Sequence, residues 1–161
     1  MIEIKRDNPV HAPYFTIIQD TREKQPWIFS QGQMVQKLDA GDYALMNSFL
    51  IIIERKKRVS ELSNNLGMKR IQFENELSKM CYYKYKYVVC EFTYEDMLKY
   101  PRGEKIPRKF KRRIKMNGKY MAKIIRQLEE AYDVEFIFCE NRQEAQQTAK
   151  ELMENAARSA T

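Results

Sequence analysis

The sequence predicts an α/β fold, a mixed central β-sheet flanked by helices on both faces, and three observations carry that prediction. Short apolar runs of strand length come early, and two of them, residues 43–46 and 49–56, are joined across Asn47 and Ser48. Longer segments with apolar residues at helical spacing follow, interleaved with two further strand-like runs. A hairpin followed by alternating helices and strands calls for both antiparallel and parallel neighbours in one sheet, with helices to cover its two faces.

Each element has its own warrant. Residues 14–20 (YFTIIQD) are a first strand that runs into a charged turn over residues 21–26, and residues 33–38 are a short second strand. Asn47 and Ser48 are turn formers, so the runs on either side of them make a hairpin. Helical spacing appears over residues 59–66 and again over residues 69–83, where Phe73, Leu77 and Met80 share a face. Residues 86–92 (KYVVCEF) are a strand; Thr93, with Asp96 three positions on, is then placed to cap a brief helix that stops before Pro101. Residues 116–120 (MNGKY) read as a Gly-containing turn. Met121, Ile124, Ile125, Leu128 and Tyr132 give the clearest amphipathic stripe in the chain. Residues 134–138 (VEFIF) are the last strand, and a final helix begins near Asn141 with Ala145, Ala149, Leu152 and Ala156 on one face. This divides the chain into an N-terminal extension, residues 1–13, and a single domain, residues 14–161, with a basic loop at 101–115 inserted in it.

Composition narrows the function. With 161 residues, 43% apolar and 32% charged, the chain suits one folded core rather than a disordered segment. No apolar run nears the roughly 20 residues that span a bilayer, and the first residues lack the layout of a secretory signal, so an intracellular protein is expected. Cys81, Cys90 and Cys139 are far apart and odd in number, which argues against a zinc site or disulfide framework and for small reduced core residues. His11 is the only histidine, too little for a His-rich metal site. The net charge of +7 points to a polyanionic partner. It is concentrated in residues 102–115 (RGEKIPRKFKRRIK), where eight basic residues face one acid, Glu104. Lys105, Arg108, Lys109, Lys111, Arg112, Arg113 and Lys115 are the candidate phosphate contacts there. The tyrosines at 82, 83, 85 and 87 are expected to pack a helix end and a strand start rather than to stack on bases.

The chemistry is written where residues 50–53 (LIII) run straight into Glu54-Arg55-Lys56. Side chains alternate along a strand, so Glu54 and Lys56 share one face and Arg55 takes the other. Whether Asp42 joins Glu54 depends on register. A two-residue loop at Asn47-Ser48 pairs Asp42 with Ile53 and parts the two acids; a three-residue loop, Met46 to Ser48, pairs it with Ile52 and brings them together. The three-residue register, or a bulge of the same effect, is the expectation. Two carboxylates held near a core repel, and a divalent cation relieves that cost; hard oxygen ligands suit Mg²⁺, with Mn²⁺ able to replace it. Lys56 beside them can orient a water or stabilise developing negative charge. Asp20, at the end of the first strand, and Glu23 add two more acids at a usual address for sites in α/β folds.

In order and spacing, Asp20-Thr21-Arg22-Glu23, Gly41-Asp42 and Glu54-Arg55-Lys56 resemble the pattern of the XPF-type nuclease domain. The segment SELSNNL followed by KRIQFENEL resembles that family's next stretch, with Arg70, Phe73 and Glu74 at the matching positions. The resemblance covers residues 15–92 well and the rest by element order. It implies a restriction-endonuclease-like core and metal-dependent cleavage of branched, flap or junction DNA in repair, recombination or replication. It further implies that Asp20, Glu23, Asp42 and Glu54 hold the metal directly or through water. Asp42, Glu54 and Lys56 would be catalytic, and Arg22, Arg55, Arg70 and Glu74 would support the site or touch phosphate.

The family's acid four residues after the lysine is Ser60 here, with Glu61 next, which leaves the role of Glu61 open. No Gly-rich hairpin signature of a duplex-gripping module is present, so the basic loop or a partner protein is expected to take that role. Separately, the resemblance implies that a homodimer can form through the nuclease domain; the apolar faces of the two final helices could serve it, though core burial explains those faces equally. An inactive DNA-binding subunit of a nuclease complex and an RNA-processing nuclease are the alternatives. The expected location is cytoplasm or nucleoid in a bacterial or phage setting, and nucleus in a eukaryotic one.

Overall fold

The structure, a computed structural model, describes residues 14–160. The extension at residues 1–13, with His11, lies outside them. Six strands form one sheet in the order β2-β1-β3-β4-β5-β6: β1 Ile17–Gln19, β2 Gln33–Val35, β3 Tyr43–Leu45, β4 Ile51–Lys56, β5 Tyr85–Cys90 and β6 Glu135–Phe138. Only β3 runs against its neighbours; every other pairing in the sheet is parallel. The carboxyl ends of β1, β4 and β5 and the amino end of β3 therefore meet along one edge, and the candidate residues converge there.

Strand alternation sorts the core into two layers. Ile18, Ala44, Ile52, Val88 and Phe136 face α1 (Val59–Leu66), α2 (Arg70–Lys79) and α5 (Gly118–Tyr132), whose buried residues include Leu62, Phe73, Leu77, Met121 and Leu128. Ile17, Tyr43, Ile51, Ile53 and Val89 face α6 (Arg142–Ser159) and the Trp27–Phe29 segment. The mixed sheet with helices on both faces is thus as expected. Most elements match within a few residues. The first strand is shorter than residues 14–20, since only Ile17–Gln19 pair with neighbours on both sides. On α6, Met153 and Ala157 are buried with Ala145, Ala149 and Ala156, while Leu152 sits at the margin. Cys81 is exposed, whereas Cys90 and Cys139 are buried as expected. Tyr82 is exposed too, and Tyr83, Tyr85 and Tyr87 are partly buried against the core.

The hairpin register departs from the expectation. The ladder pairs Tyr43 with Ile53 and Ala44 with Ile52, two residues away from the anticipated match of Asp42 with Ile52. The reason lies in the turn. Phe49 and Leu50 already give their carbonyls to the Lys84 and Tyr85 N–H groups on the β5 side, and the Ser48 hydroxyl accepts from the Leu50 N–H at 3.1 Å. The connection consequently spans residues 46–50. Because two residues is one full period of a strand, the slip leaves every side chain on the face it was expected to have.

Three helices start on side-chain caps. Thr93, Asn117 and Asn141 accept from the backbone N–H groups of Asp96, Tyr120 and Glu144 at 3.0, 2.9 and 2.9 Å. The first of these opens α3 (Tyr94–Leu98). Gly118, expected in a turn, is instead the first residue of α5. Its N–H donates to the Tyr100 carbonyl at 3.1 Å and so closes the base of the basic excursion over residues 101–117. That excursion contains a single helical turn, α4 (Arg108–Lys111). A Cβ at Gly118 would stand 2.3 Å from the carbonyl oxygens of Met97 and Leu98. Gly118→Ala is therefore expected to cost about 1–3 kcal/mol, the usual range for forced overpacking; urea denaturation measures it, and a loss below about 0.5 kcal/mol would mean that the α3–α5 contact yields freely.

Candidate active site

Asp42 is set by the residue before it. Gly41 has φ +74°, and a Cβ there would lie 2.6 Å from the Ile52 side chain, so the chain passes β4 closer than other residues allow. From that position the Asp42 N–H donates to the Ile53 carbonyl at 2.8 Å, and its carboxylate accepts from the Arg55 N–H at 2.7 Å. The side chain thus takes over where the β3–β4 ladder ends. Burial, then the nearby Glu54 and Glu23 charges, push the Asp42 carboxyl well above the usual carboxylate range, against the pull of the Arg55 N–H.

Glu54 and Lys56 lie on the α1/α2 face. The Lys56 ammonium is 3.0 Å from the Glu54 carboxylate and 3.6 Å from that of Glu61, and it sits 5.0 Å above the Phe73 ring. Burial raises the Glu54 carboxyl despite that ammonium. For Lys56 burial acts the other way, yet Glu54 and Glu61 outweigh it and the ammonium is held charged, above its ordinary range. Glu61, whose equivalence the sequence left open, is therefore part of the cluster; it also accepts from the Lys57 N–H at 3.1 Å, which ties the start of α1 to the end of β4.

Arg55 points through the sheet to the other layer. Its guanidinium takes both oxygens of Glu91 at 3.0 and 3.2 Å, donates to the Gln25 carbonyl at 2.9 Å, and lies 3.5 Å from Glu23 and 4.7 Å above the Trp27 ring. The Trp27 indole N–H completes Glu91 at 3.0 Å. Glu23 also pairs with Lys57 at 3.5 Å, and its Oε2 is buried without a hydrogen-bond donor.

Asp20 and Arg22 tie the end of β1 to Leu38, in the connection between β2 and β3. The Asp20 carboxylate accepts from the Leu38 N–H at 2.7 Å and from the Arg22 N–H and Nε at 3.0 and 2.8 Å. Burial opposes its charge, but these donors outweigh burial and hold the carboxyl below its ordinary range. The Arg22 side chain is largely exposed. Arg70 and Glu74 pair with each other at 3.1 Å, and Glu74 accepts from the Tyr132 hydroxyl of α5 at 3.0 Å. These two link helices and do not line the open cleft of about 420 Å³ in front of Glu54 and Lys56; Lys69, Gln72, Asn75, Glu76 and Lys79 do. Lys69, Gln72, Glu76 and Lys79 follow one another at i, i+3, i+7 and i+10, a polar stripe beside Phe73, and the contact of Phe73 with Lys56 turns that stripe toward the cleft. Glu91 is the other site residue that was not legible in the sequence, where it looks like the tail of a strand.

Among the described residues, no set of three or more His, Cys, Asp or Glu side chains gathers as a ready metal site. Two observations nonetheless fit a divalent cation. Asp42 and Glu54 are two crowded carboxyls whose mutual repulsion is only partly relieved by Lys56, and the buried Oε2 of Glu23 has no hydrogen-bond donor, only the Arg55 guanidinium at 3.5 Å. Mg²⁺ is commonly held by one or two carboxylates, with waters and substrate phosphate completing its shell.

The ERCC4 domain model matches residues 20–152, most of the chain and every residue of this site. The chain belongs to the ERCC4 domain family, the XPF-type nucleases. Its structure is similar to that of XPF from Aeropyrum pernix, with TM-score 0.59 and 21% identity over 91% of this chain and 61% of that one. A second structure, XPF from Aeropyrum pernix in complex with DNA, matches with TM-score 0.60 and 21% identity over 92% and 64%. At that identity the likeness shows the XPF nuclease-like fold, and this ERCC4 chain spans under two thirds of the length of these XPF chains. No curated protein matches. No described helix is long and apolar enough to cross a membrane.

Proposed function

We propose that this ERCC4 domain is a Mg²⁺-dependent endonuclease, also served by Mn²⁺, that hydrolyses phosphodiester bonds in branched, flap or junction DNA. The observation that carries the reading is the Asp42–Glu54 carboxyl pair with a charged, buried Lys56 beside it, at the strand-end edge of a family fold whose relative has been seen with DNA. Asp42 and Glu54 would hold the cation, with Glu23 in reach of the shared charge and Asp20 fixing the loop beside them. When bound there the metal supplies a Lewis acid for the phosphoryl group.

The chain's own residues do the rest. Lys56, kept as an ammonium by Glu54 and Glu61, is a donor and positive charge for the phosphoryl oxygens rather than a base. Its ion pair with Glu61 separates two open concavities, the α2 cleft and one lined by Lys24, Lys57 and Arg58, which gives a strand room on either side of the scissile phosphate. Water attack breaks the P–O3′ bond and leaves a 5′-phosphate and a 3′-hydroxyl.

The test is cleavage of labelled flap, fork, four-way-junction and plain duplex DNA with Mg²⁺, Mn²⁺ or EDTA, with the Asp42→Asn protein as a control for contaminating nuclease. Metal-dependent cutting of a branched substrate is the expected result. Tight binding without cutting in either metal would make this a DNA-binding subunit, and preference for an RNA duplex of equal length would make it an RNA-processing enzyme.

The basic excursion is assigned to phosphate contact on its exposure. Lys105, Arg108, Lys109, Arg112, Arg113 and Lys115 are exposed and Lys111 is half-buried, while Ile114 and Met116 anchor the segment to the core. Neutralising Lys109, Lys111, Arg112 and Arg113 together is expected to weaken binding to every DNA alike. The slope of log K against log salt should flatten by up to about 0.9 for each phosphate no longer neutralised. An unchanged slope would remove the segment from the interface.

A further inference from the structure

We propose that the notch formed by Phe49, Tyr82 and Tyr83 receives one unpaired base of the DNA strand lying along α2; the proposal rests on DNA being the substrate and names the feature by which it is recognised. The notch is a cavity of about 280 Å³ bounded by these three rings, Asp39, Ala40 and Lys79. Phe49 projects from the β3–β4 connection and is 67% exposed; Tyr82 ends the helical turn after α2 and is 77% exposed. Tyr83 backs them, its ring 5.3 Å from that of Phe49 at 59°. Three aromatic side chains from two separate segments gathered around one small cavity, two of them facing water, are costly for a fold and useful for stacking a flat apolar face.

Two charged neighbours identify the occupant. Lys79 lines both this notch and the cleft that holds Glu54 and Lys56, so the two cavities are neighbours at the carboxyl end of α2 with Lys79 as their shared wall. From Gln72 to Lys79 the helix rises about 10 Å, the length of about three stacked nucleotides. A strand whose phosphate meets Lys56 would then pass Gln72 and Asn75, present a phosphate to Lys79, and deliver its next base to the rings. Asp39, close enough to raise the Tyr83 hydroxyl's pKa after burial has done so, repels phosphate and accepts from base N–H groups. The notch therefore selects a base and not a backbone, and only an unpaired base has a face to give it.

The test is fluorescence of 2-aminopurine placed at successive positions of a single-stranded arm on duplex DNA, together with anisotropy binding to armed and blunt duplexes, all in EDTA. One arm position is expected to quench on binding. The Phe49→Ala/Tyr82→Ala protein should lose that quench and bind armed DNA about tenfold more weakly, the scale of one stacked base, with blunt-duplex affinity unchanged. Both side chains are exposed, so its melting curve should match wild type. If the quench and the preference for armed DNA persist in the double variant, the notch is not a base site, and Mg²⁺-dependent cleavage would still stand as a separate result. If wild type quenches the probe but cuts nothing in any metal, the notch is upheld and the nuclease reading fails.

Discussion

Arg55→Ala is expected to destabilise the domain by about 3–5 kcal/mol, the cost of leaving a buried charge without its partner. The Arg55 side chain is only 1% exposed, and its two-pronged grip on Glu91 is the main support of that carboxylate in the second layer. Without it Glu91 keeps the Trp27 indole N–H alone, Glu23 keeps Lys57 alone, and the Trp27 face loses its cation. For a domain of this size the melting temperature should fall by roughly 10–15 °C. Arg55→Lys should restore only part of this, because an ammonium cannot make the planar two-point contact. The double variant Arg55→Met/Glu91→Gln should recover more than either single change, since both unpaired charges are then gone. Thermal and urea denaturation of wild type, Arg55→Ala, Arg55→Lys, the double variant and its two single variants gives the comparison. A loss within about 1 kcal/mol for Arg55→Ala would show that the pair is weak and would free Arg55 for a phosphate.

The two faces of β4 explain how much of the site was legible in the sequence. Alternation alone put Glu54 and Lys56 on one face and Arg55 on the other, and the structure bears this out because six consecutive residues of β4 pair with β5 and hold the pleat regular. The family resemblance named Asp20, Glu23, Asp42 and Glu54 as one metal-holding set; Asp20 is tied instead to Leu38 and Arg22, Glu23 to Arg55 and Lys57, and the described residues gather no ready metal site. Register was harder. Which carbonyls Phe49 and Leu50 give away depends on β5, more than thirty residues on, and no local rule reads that. The partnership of Glu91 with Arg55 and Trp27 is tertiary in the same way, joining positions 36 and 64 residues apart in sequence. Arg70 and Glu74 show a different limit: the motif match named these two positions of α2, but the helix's rotation about its own axis was set by Phe73 packing under Lys56, and this turned Gln72 and Glu76 toward the cleft instead.

Asp42→Asn should abolish cleavage and, without metal, make the domain more stable. Asparagine keeps an oxygen to accept from the Arg55 N–H, so the end of the β3–β4 ladder is preserved, while the charge that crowds Glu54 and Glu23 is removed. On the activity side, loss of one of two carboxylates for the cation should cost several kcal/mol of transition-state stabilisation, a rate loss on the order of 10³-fold. The stability side follows from proton linkage. The Asp42 carboxyl binds its proton more tightly folded than unfolded, so in wild type its own contribution to stability is fully present below the ordinary Asp range and is lost as pH rises through the raised folded value. The variant lacks that slope. In EDTA its melting temperature should match wild type at low pH and exceed it at neutral pH, by roughly 2–4 °C for each kcal/mol of repulsion relieved. Saturating Mg²⁺ should close the gap from the other side, raising wild type by binding and leaving the variant nearly unmoved. Equal melting temperatures across the whole pH range in EDTA would mean that the folded state carries no repulsion at Asp42. A variant less stable than wild type at neutral pH would mean that the ionised carboxylate is a structural ligand of the Arg55 N–H rather than a charge waiting for a cation.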